Sequence, residues 1–300
     1  MRNKLLIGCL LLLGSVARAQ DTTLLGRLGD SLQAESKPGP VTGTFKGIYF
    51  IQLQTNETVA RGALNFEIQH RFGQLNSGAY NFFGLDNATL RLGLDYGLTD
   101  WWTIGVGRSS YLKTFDGYTK FKLWRQKESG GMPISVTLMG TISNYTQNFS
   151  DESYLDANYR TAYATQLILA RKFRYFSLEL VPTYIRSNLV PTTADKNDLF
   201  AVSGGARVRL TRRMSLDGEY NYLFPNQVNS TKVYNALSFA WEMETGGHVF
   251  QLVFTNAQSM VPTQFISQTT GNWGDGGIYF GFNIARNFNL TSHAKKSVKY

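Results

Sequence analysis

Beyond its apolar N-terminal run this chain carries few side chains able to do covalent chemistry, and His70 is the first of them. With Arg71 it closes the first regular run, near an outer rim, ahead of a stretch holding Ser77 and Asp86. A histidine beside a serine and an aspartate can take up a nucleophile's proton. His248 and His293 are the other histidines of the mature region, and no G-x-S-x-G elbow accompanies the serine. A hydrogen bond anchoring a loop is therefore the better expectation for His70, and no catalytic residue is assigned. Asp195, Asn197 and Asp198 offer oxygen ligands but lack the glycine and terminal glutamate of a calcium loop. Neither a metal nor a cofactor is expected. Cys9 is the single cysteine and lies in the apolar N-terminal run, so the rest of the chain must hold together without a disulfide.

Charged residues are the chemistry that remains. Glu67, Arg71, Arg91, Asp95, Lys120, Lys122, Glu179, Arg207, Arg209, Asp217, Glu219 and Glu242 all fall at polar positions of alternating runs, as many bases as acids. Successive side chains of a strand point to opposite faces. The pattern is clearest between Gly62 and Val106. Leu64, Phe66 and Ile68 oppose Asn65, Glu67, Gln69 and Arg71; Leu90, Leu92, Leu94 and Tyr96 oppose Thr89, Arg91, Gly93 and Asp95. After a turn at 97–100, Trp102, Ile104 and Val106 oppose Thr103, Gly105 and Gly107.

Further runs at 118–124, 134–142, 162–171, 176–184, 200–210, 214–224, 234–243, 248–255 and 278–288 bring the expected strands to about twelve. An even number suits a closed barrel, and each run is near the roughly ten residues that cross a bilayer at a tilt. The connections are short at 97–101, 126–133, 172–175, 211–213 and 244–247, and long at 73–87, 145–161, 187–199, 225–233 and 256–277. Soluble sandwiches follow no such rule, whereas outer-membrane barrels have short periplasmic turns and long extracellular loops. Tyr96, Trp101 and Trp102 fall near one set of strand ends and Tyr220, Tyr222 and Phe224 near the other, as interfacial girdles require. The expected fold is an all-β, transmembrane, antiparallel up-and-down barrel with its apolar face on lipid. A soluble sandwich, purified without detergent, is the alternative.

The chain opens with MRNK, an apolar run at 5–16 and Ala17-Arg18-Ala19, the pattern of a secretory signal cleaved before Gln20. Residues 20–42 read as a periplasmic linker, with Leu24, Leu25, Leu28 and Leu32 on one side of a short helix that Pro38 and Pro40 end. The barrel is expected over 43–291. Within it, 44–54 alternates poorly and belongs inside the barrel or at its rim. The polar tail at 292–300 is expected in the periplasm. A net charge of +9 could suit nucleic acid, but export and the absence of basic clusters exclude it. The expected partners are outer-membrane lipid and lipopolysaccharide, whose phosphates Arg108 would meet at the outer rim. The barrel-assembly machinery, reading Phe280, Phe282 and Phe288 of the last strand, is another, and a small polar solute is the third.

FEIQHRFG at 66–73, GLDNATLRLGLDYGLTDWWTIGVGRSSY at 84–111 and FDGYTKFKL at 115–123 resemble an uncharacterised family of membrane-bound β-barrel proteins from Bacteroidota outer membranes. The resemblance covers most of the chain after the signal and is most specific between Phe66 and Leu123. It implies an outer-membrane barrel and no particular activity. The inward charges then line a narrow porin-like passive channel for small polar solutes, whose selectivity they tune. Alternatively they form a salt-bridged network that closes a structural or adhesive barrel, with loops such as 256–277 binding partners. A lipid hydrolase at the rim ranks third.

Overall fold

The structure is a computed structural model and describes residues 39–41, 43–150 and 155–291. The expected signal peptide, most of the linker and the polar tail lie outside the described residues. The barrel and its lumen belong to the unit formed by Pro40–Lys127 and Gly131–Tyr300; Gly39 and Glu128–Gly130 group separately.

Twelve antiparallel strands close on themselves. In chain order they are β1 (Ala63–Gln74), β2 (Ala88–Thr99), β3 (Trp102–Ser109), β4 (Thr114–Trp124), β5 (Ser135–Tyr145) and β6 (Thr161–Lys172). Then follow β7 (Phe176–Ser187), β8 (Asp198–Arg209), β9 (Met214–Leu223), β10 (Ala236–Thr245), β11 (His248–Thr255) and β12 (Tyr279–Asn289). Each strand pairs with the next, and β12 returns to β1 with Ala63 opposite Asn289 and Arg71 opposite Gly281. Closure leaves no edge, so wall backbone groups pair without water, the condition for crossing a bilayer as strands.

Alternation decides which face goes where. Leu92, Leu94, Ile104, Val106, Leu138 and Ile142 are exposed on the outside, whereas Asn65, Glu67, Gln69, Arg91, Asp95 and Thr103 are buried inside. A water-soluble sandwich inverts this arrangement, because so broad an apolar exterior is tolerated only against lipid or a partner. Trp101, Trp102 and Phe121 stack on one another at one end of the wall, with centroids 5.5–6.3 Å apart. Tyr222 meets Phe224 at the other, 5.7 Å apart.

One end of the barrel carries the connections 100–101, 125–127 with 131–134, 173–175, 210–213 and 246–247; the other carries 75–87, 110–113, 146–150 with 155–160, 188–197, 224–235 and 256–278. The first is called the turn end below and the second the loop end. A two-residue hairpin joins β10 to β11 through Gly246 and Gly247, at φ of +49° and +99°. Two successive positive φ values match the strands' right-handed twist, and glycine takes both without strain. At the loop end β1 runs three residues past the expected stop at Arg71, because its ladder continues from Phe72 to Ala88 of β2 and from Gln74 to Tyr279 of β12.

Candidate functional site

The lumen is occupied. Residues 44–56 form no wall strand; they pass through the barrel interior, burying Phe45, Ile48, Tyr49, Phe50, Ile51, Leu53 and the polar residues between them. A tight turn organises this plug, with Phe50 N donating to Leu53 O at 2.8 Å and Tyr49 bridging Gln54. Backbone buried without strand partners needs other ones, and the inner wall supplies them. The N–H groups of Ile51, Gln52 and Leu53 converge on Oε2 of Glu219 at 3.3, 2.9 and 3.0 Å. The carbonyls are gripped by side chains of β4, β11 and β12. Lys120 Nζ donates to Ile48 O, Thr55 O and Glu57 O at 3.4, 3.3 and 2.8 Å. Gln251 Nε2 donates to Phe50 O at 2.5 Å and Asn283 Nδ2 to Ile51 O at 2.8 Å.

Apolar packing fills what remains. Phe50, Ile51 and Leu53 join Ile168, Val181, Ile185 and Leu199 of the wall in one cluster, which also takes in Phe265 and Ile266. The last two come from the connection 256–278, which turns inward from the loop end instead of projecting outward. Gln264 Nε2 donates to Thr114 Oγ1 at 2.8 Å there, and Gln52 Nε2 of the plug reaches Ser259 O at 3.1 Å. The narrow polar pathway expected from the inward charges is thus not a free one. Gly205 of β8 makes room for the plug: a Cβ there would enter the Phe50 ring at 2.6 Å.

The expected inward charges divide by partner. Arg91 holds Asp116 through Nε at 2.9 Å and Nη2 at 2.5 Å. Asp95 accepts from the Tyr118 hydroxyl at 2.7 Å and from Asn65 at 3.0 Å. Arg207 pairs with Glu242 at 2.9 Å and lies 3.8 Å from Asp217; Lys122 pairs with Glu57 of the plug's trailing end at 3.2 Å. Arg71 donates to Asn283 at 2.8 Å. Glu67 and Glu179 are buried without an ion pair among the described residues. Arg209 departs from the expectation. As the last residue of β8 it sits exposed at the turn end, donating to Arg174 O at 3.0 Å, because the wall stops before its side chain can be enclosed. Burial pushes the Glu57 carboxyl up, but Lys122 and the N–H groups of Thr44 and Phe45 pull it further down, below its ordinary value.

Sequence reading missed Glu57 and Asp116, and Gln251 and Asn283 drew no attention because they carry no charge. Asp116 shares parity with Lys120, a signal hidden when β4 is read as starting at 118 rather than at Thr114.

His70 lies within the wall rather than at a rim, and its side chain is on the outward parity. Its ring stacks on Phe282 at 4.8 Å and meets Phe72 edge-on at 4.5 Å. Its Nδ1 makes no hydrogen bond, so aromatic contact holds it rather than the expected loop anchor. Arg108 is also outward, near the loop end, with its guanidinium 4.6 Å from the Phe115 ring centroid.

Asp195, Asn197 and Asp198 do not converge on a common point. Asn197 donates to Ser187 O, Asp198 pairs with Arg186, and Asp195 accepts from the N–H groups of Asn229 at 2.6 Å and Ser230 at 2.9 Å. Burial raises the Asp195 carboxyl, but donors from Ser230, Asn229 and Thr192 outweigh it and hold it at about 2. A carboxyl lowered on folding stabilises above its unfolded value and ceases to do so as pH falls through the folded one. The tie between connections 188–197 and 224–235 is therefore expected to persist at about pH 4 and to be lost near pH 2. Hydrogen exchange of the Asn229 and Ser230 amides, corrected for intrinsic rates, reads this directly; protection that vanishes already near pH 4 would contradict it.

Among solved structures the chain is similar to the NanC porin, at 8% identity and a TM-score of 0.46, over 75% of this chain and 98% of that one. It is similar to an outer-membrane channel from Pseudomonas putida F1 at 13% and 0.46, over 78% and 98%. A third is outer-membrane phospholipase A from Escherichia coli, as an active-site mutant, at 10% and 0.45, over 81% and 98%. Likenesses this remote transfer neither a substrate nor an activity. No curated protein matches the sequence. Residues 45–288, from the plug to the last strand, match one family, and the chain belongs to it: the membrane-bound β-barrel domain family DUF5777.

Proposed function

We propose that the protein is an outer-membrane transport barrel for small polar solutes, closed at rest by residues 44–56. One observation carries this reading: the wall grips the plug's main chain through polar and charged side chains, Glu219 on three N–H groups and Lys120 on three carbonyls. Filling a lumen permanently with apolar side chains avoids desolvating charges. Polar latches, by contrast, exchange their partners for water when the plug leaves, and they then line the pathway a solute meets. A secretory signal and an apolar, girdled wall support the outer membrane as the location, with the loop end facing outward and Arg108 available to lipopolysaccharide phosphate. The plug follows directly on the N-terminal linker, so its release would be controlled from the turn end.

The second reading is a closed structural barrel that binds partners outside. The connection 256–278 favours it, since it too folds into the lumen, with Phe265 and Ile266 packed against the plug's cluster. Conductance in planar bilayers separates the two. Lys120→Met removes the cation that holds Ile48 O and Thr55 O of the plug and Glu57 O just beyond it, and is expected to raise the open fraction roughly tenfold or more over the unaltered chain, a charged hydrogen bond being worth about a decade. Equal silence from both proteins, folded and heat-modifiable, would favour the closed barrel.

A further inference from the structure

At the turn end, where the plug passes into the barrel, lies a pocket of about 140 Å³. Its charged lining is all of one sign: Lys46 from the plug, Lys172 and Arg174 around the β6–β7 turn, and Arg207, Arg209 and Arg212 around the β8–β9 turn. Two of these cations have carboxylates beside the pocket, Lys46 with Glu244 and Arg207 with Glu242. Arg174, Arg209 and Arg212 form no ion pair among the described residues.

The site is also built. Arg209 is braced by its own N–H on Tyr175 O at 2.9 Å and by its guanidinium on Arg174 O at 3.0 Å. Ser177 Oγ donates to Thr44 O at 2.8 Å, pinning the plug's start against the pocket wall. Like charges gathered in one small cavity repel each other, and a multivalent oxyanion would offset that repulsion. Guanidinium groups present planar pairs of N–H donors that match phosphate oxygens, which makes phosphate the fitting anion rather than a halide. The volume admits one or two phosphate groups and excludes a nucleoside.

We propose that this pocket binds a phosphate-bearing anion, held between the plug at Lys46 and the two turns carrying Arg174, Arg209 and Arg212. The group can arrive on a free small phosphate ester or on the headgroup of an inner-leaflet lipid, and the chemistry of recognition is the same. Binding here is independent of whether the barrel conducts.

The test uses the chain from Gln20, refolded in zwitterionic detergent, with two probes. Calorimetric titration with pyrophosphate at constant ionic strength examines the free anion. Native mass spectrometry after exposure to phosphatidylglycerol, with phosphatidylcholine as control, examines the headgroup. Arg209→Gln/Arg212→Gln is compared after heat-modifiability has shown it folded, and Lys46→Gln serves if the double variant does not fold. Saturable pyrophosphate binding that weakens about tenfold for each arginine removed assigns the site to free phosphates. Retention of phosphatidylglycerol alone, shed by the variant, assigns it to the headgroup and equally upholds the site. Absence of binding by both probes, or equal binding by wild type and variants, overturns the proposal.

Discussion

Starting the chain at Thr58 instead of Gln20 should turn a quiet barrel into one that conducts steadily. The truncation removes Phe45, Phe50, Ile51 and Leu53 from the lumen, together with the main-chain groups that Glu219, Lys120, Gln251 and Asn283 hold. It leaves the wall intact, because the β1–β12 ladder begins at Ala63, and Thr58 and Val59 keep their bonds to Asp100 O and Thr103 Oγ1. Glu219 and Lys120, freed of the plug's main chain, then meet water. Ion selectivity in the truncated barrel should shift toward anions in Glu219→Gln and toward cations in Lys120→Met, since each removes one fixed charge from the constriction. A truncated barrel that is folded, heat-modifiable and still silent would remove the plug as the gate. The connection 256–278 would then be what closes the lumen, and the search for function would move to the loops.

The second large effect is on stability. Arg91→Met should destabilise the barrel by about 3–5 kcal/mol, the usual cost of leaving one member of a buried ion pair alone. Arg91 and Asp116 are 2% and 4% exposed at their side chains and joined by two hydrogen bonds, so Asp116 cannot turn to solvent instead. Replacing both, as Arg91→Met/Asp116→Leu, should recover most of the loss, because no charge then remains to desolvate. Urea unfolding of the refolded protein in vesicles measures all three variants. A single-variant loss below about 1 kcal/mol, the range of exposed pairs, would mean that water reaches this part of the lumen and that the pair does not hold the wall. Tyr49 of the plug lies 5.5 Å from the Arg91 guanidinium, so the Arg91 effect should shrink in the truncated chain.

The wall was legible because its rule is local. A strand's side chains alternate with period two, and lipid outside and polar lumen inside impose opposite chemistry on the two parities. Leu92 and Leu94 thus identify their own face, and Arg91 and Asp95 the other, without reference to any other strand. The number of strands and the direction of their faces follow from that periodicity, and so does closure, since lipid admits no open edge. What fills the barrel could not be read the same way. Residues 44–56 show no period because they pair with no strand, and Gln52 meets Glu219 167 positions along the chain. Arg91 finds Asp116 only through the register of β2, β3 and β4, and the pocket at the turn end draws Lys46, Lys172 and Arg212 from three separate segments. Even single-residue placements are set at this level: His70 falls inside the wall because the β1 ladders run on to Phe72 and Gln74, and Arg209 falls at its edge because β8 ends there. Periodicity sets the face of a side chain, whereas its partner is set by which segments the closed ladder brings together.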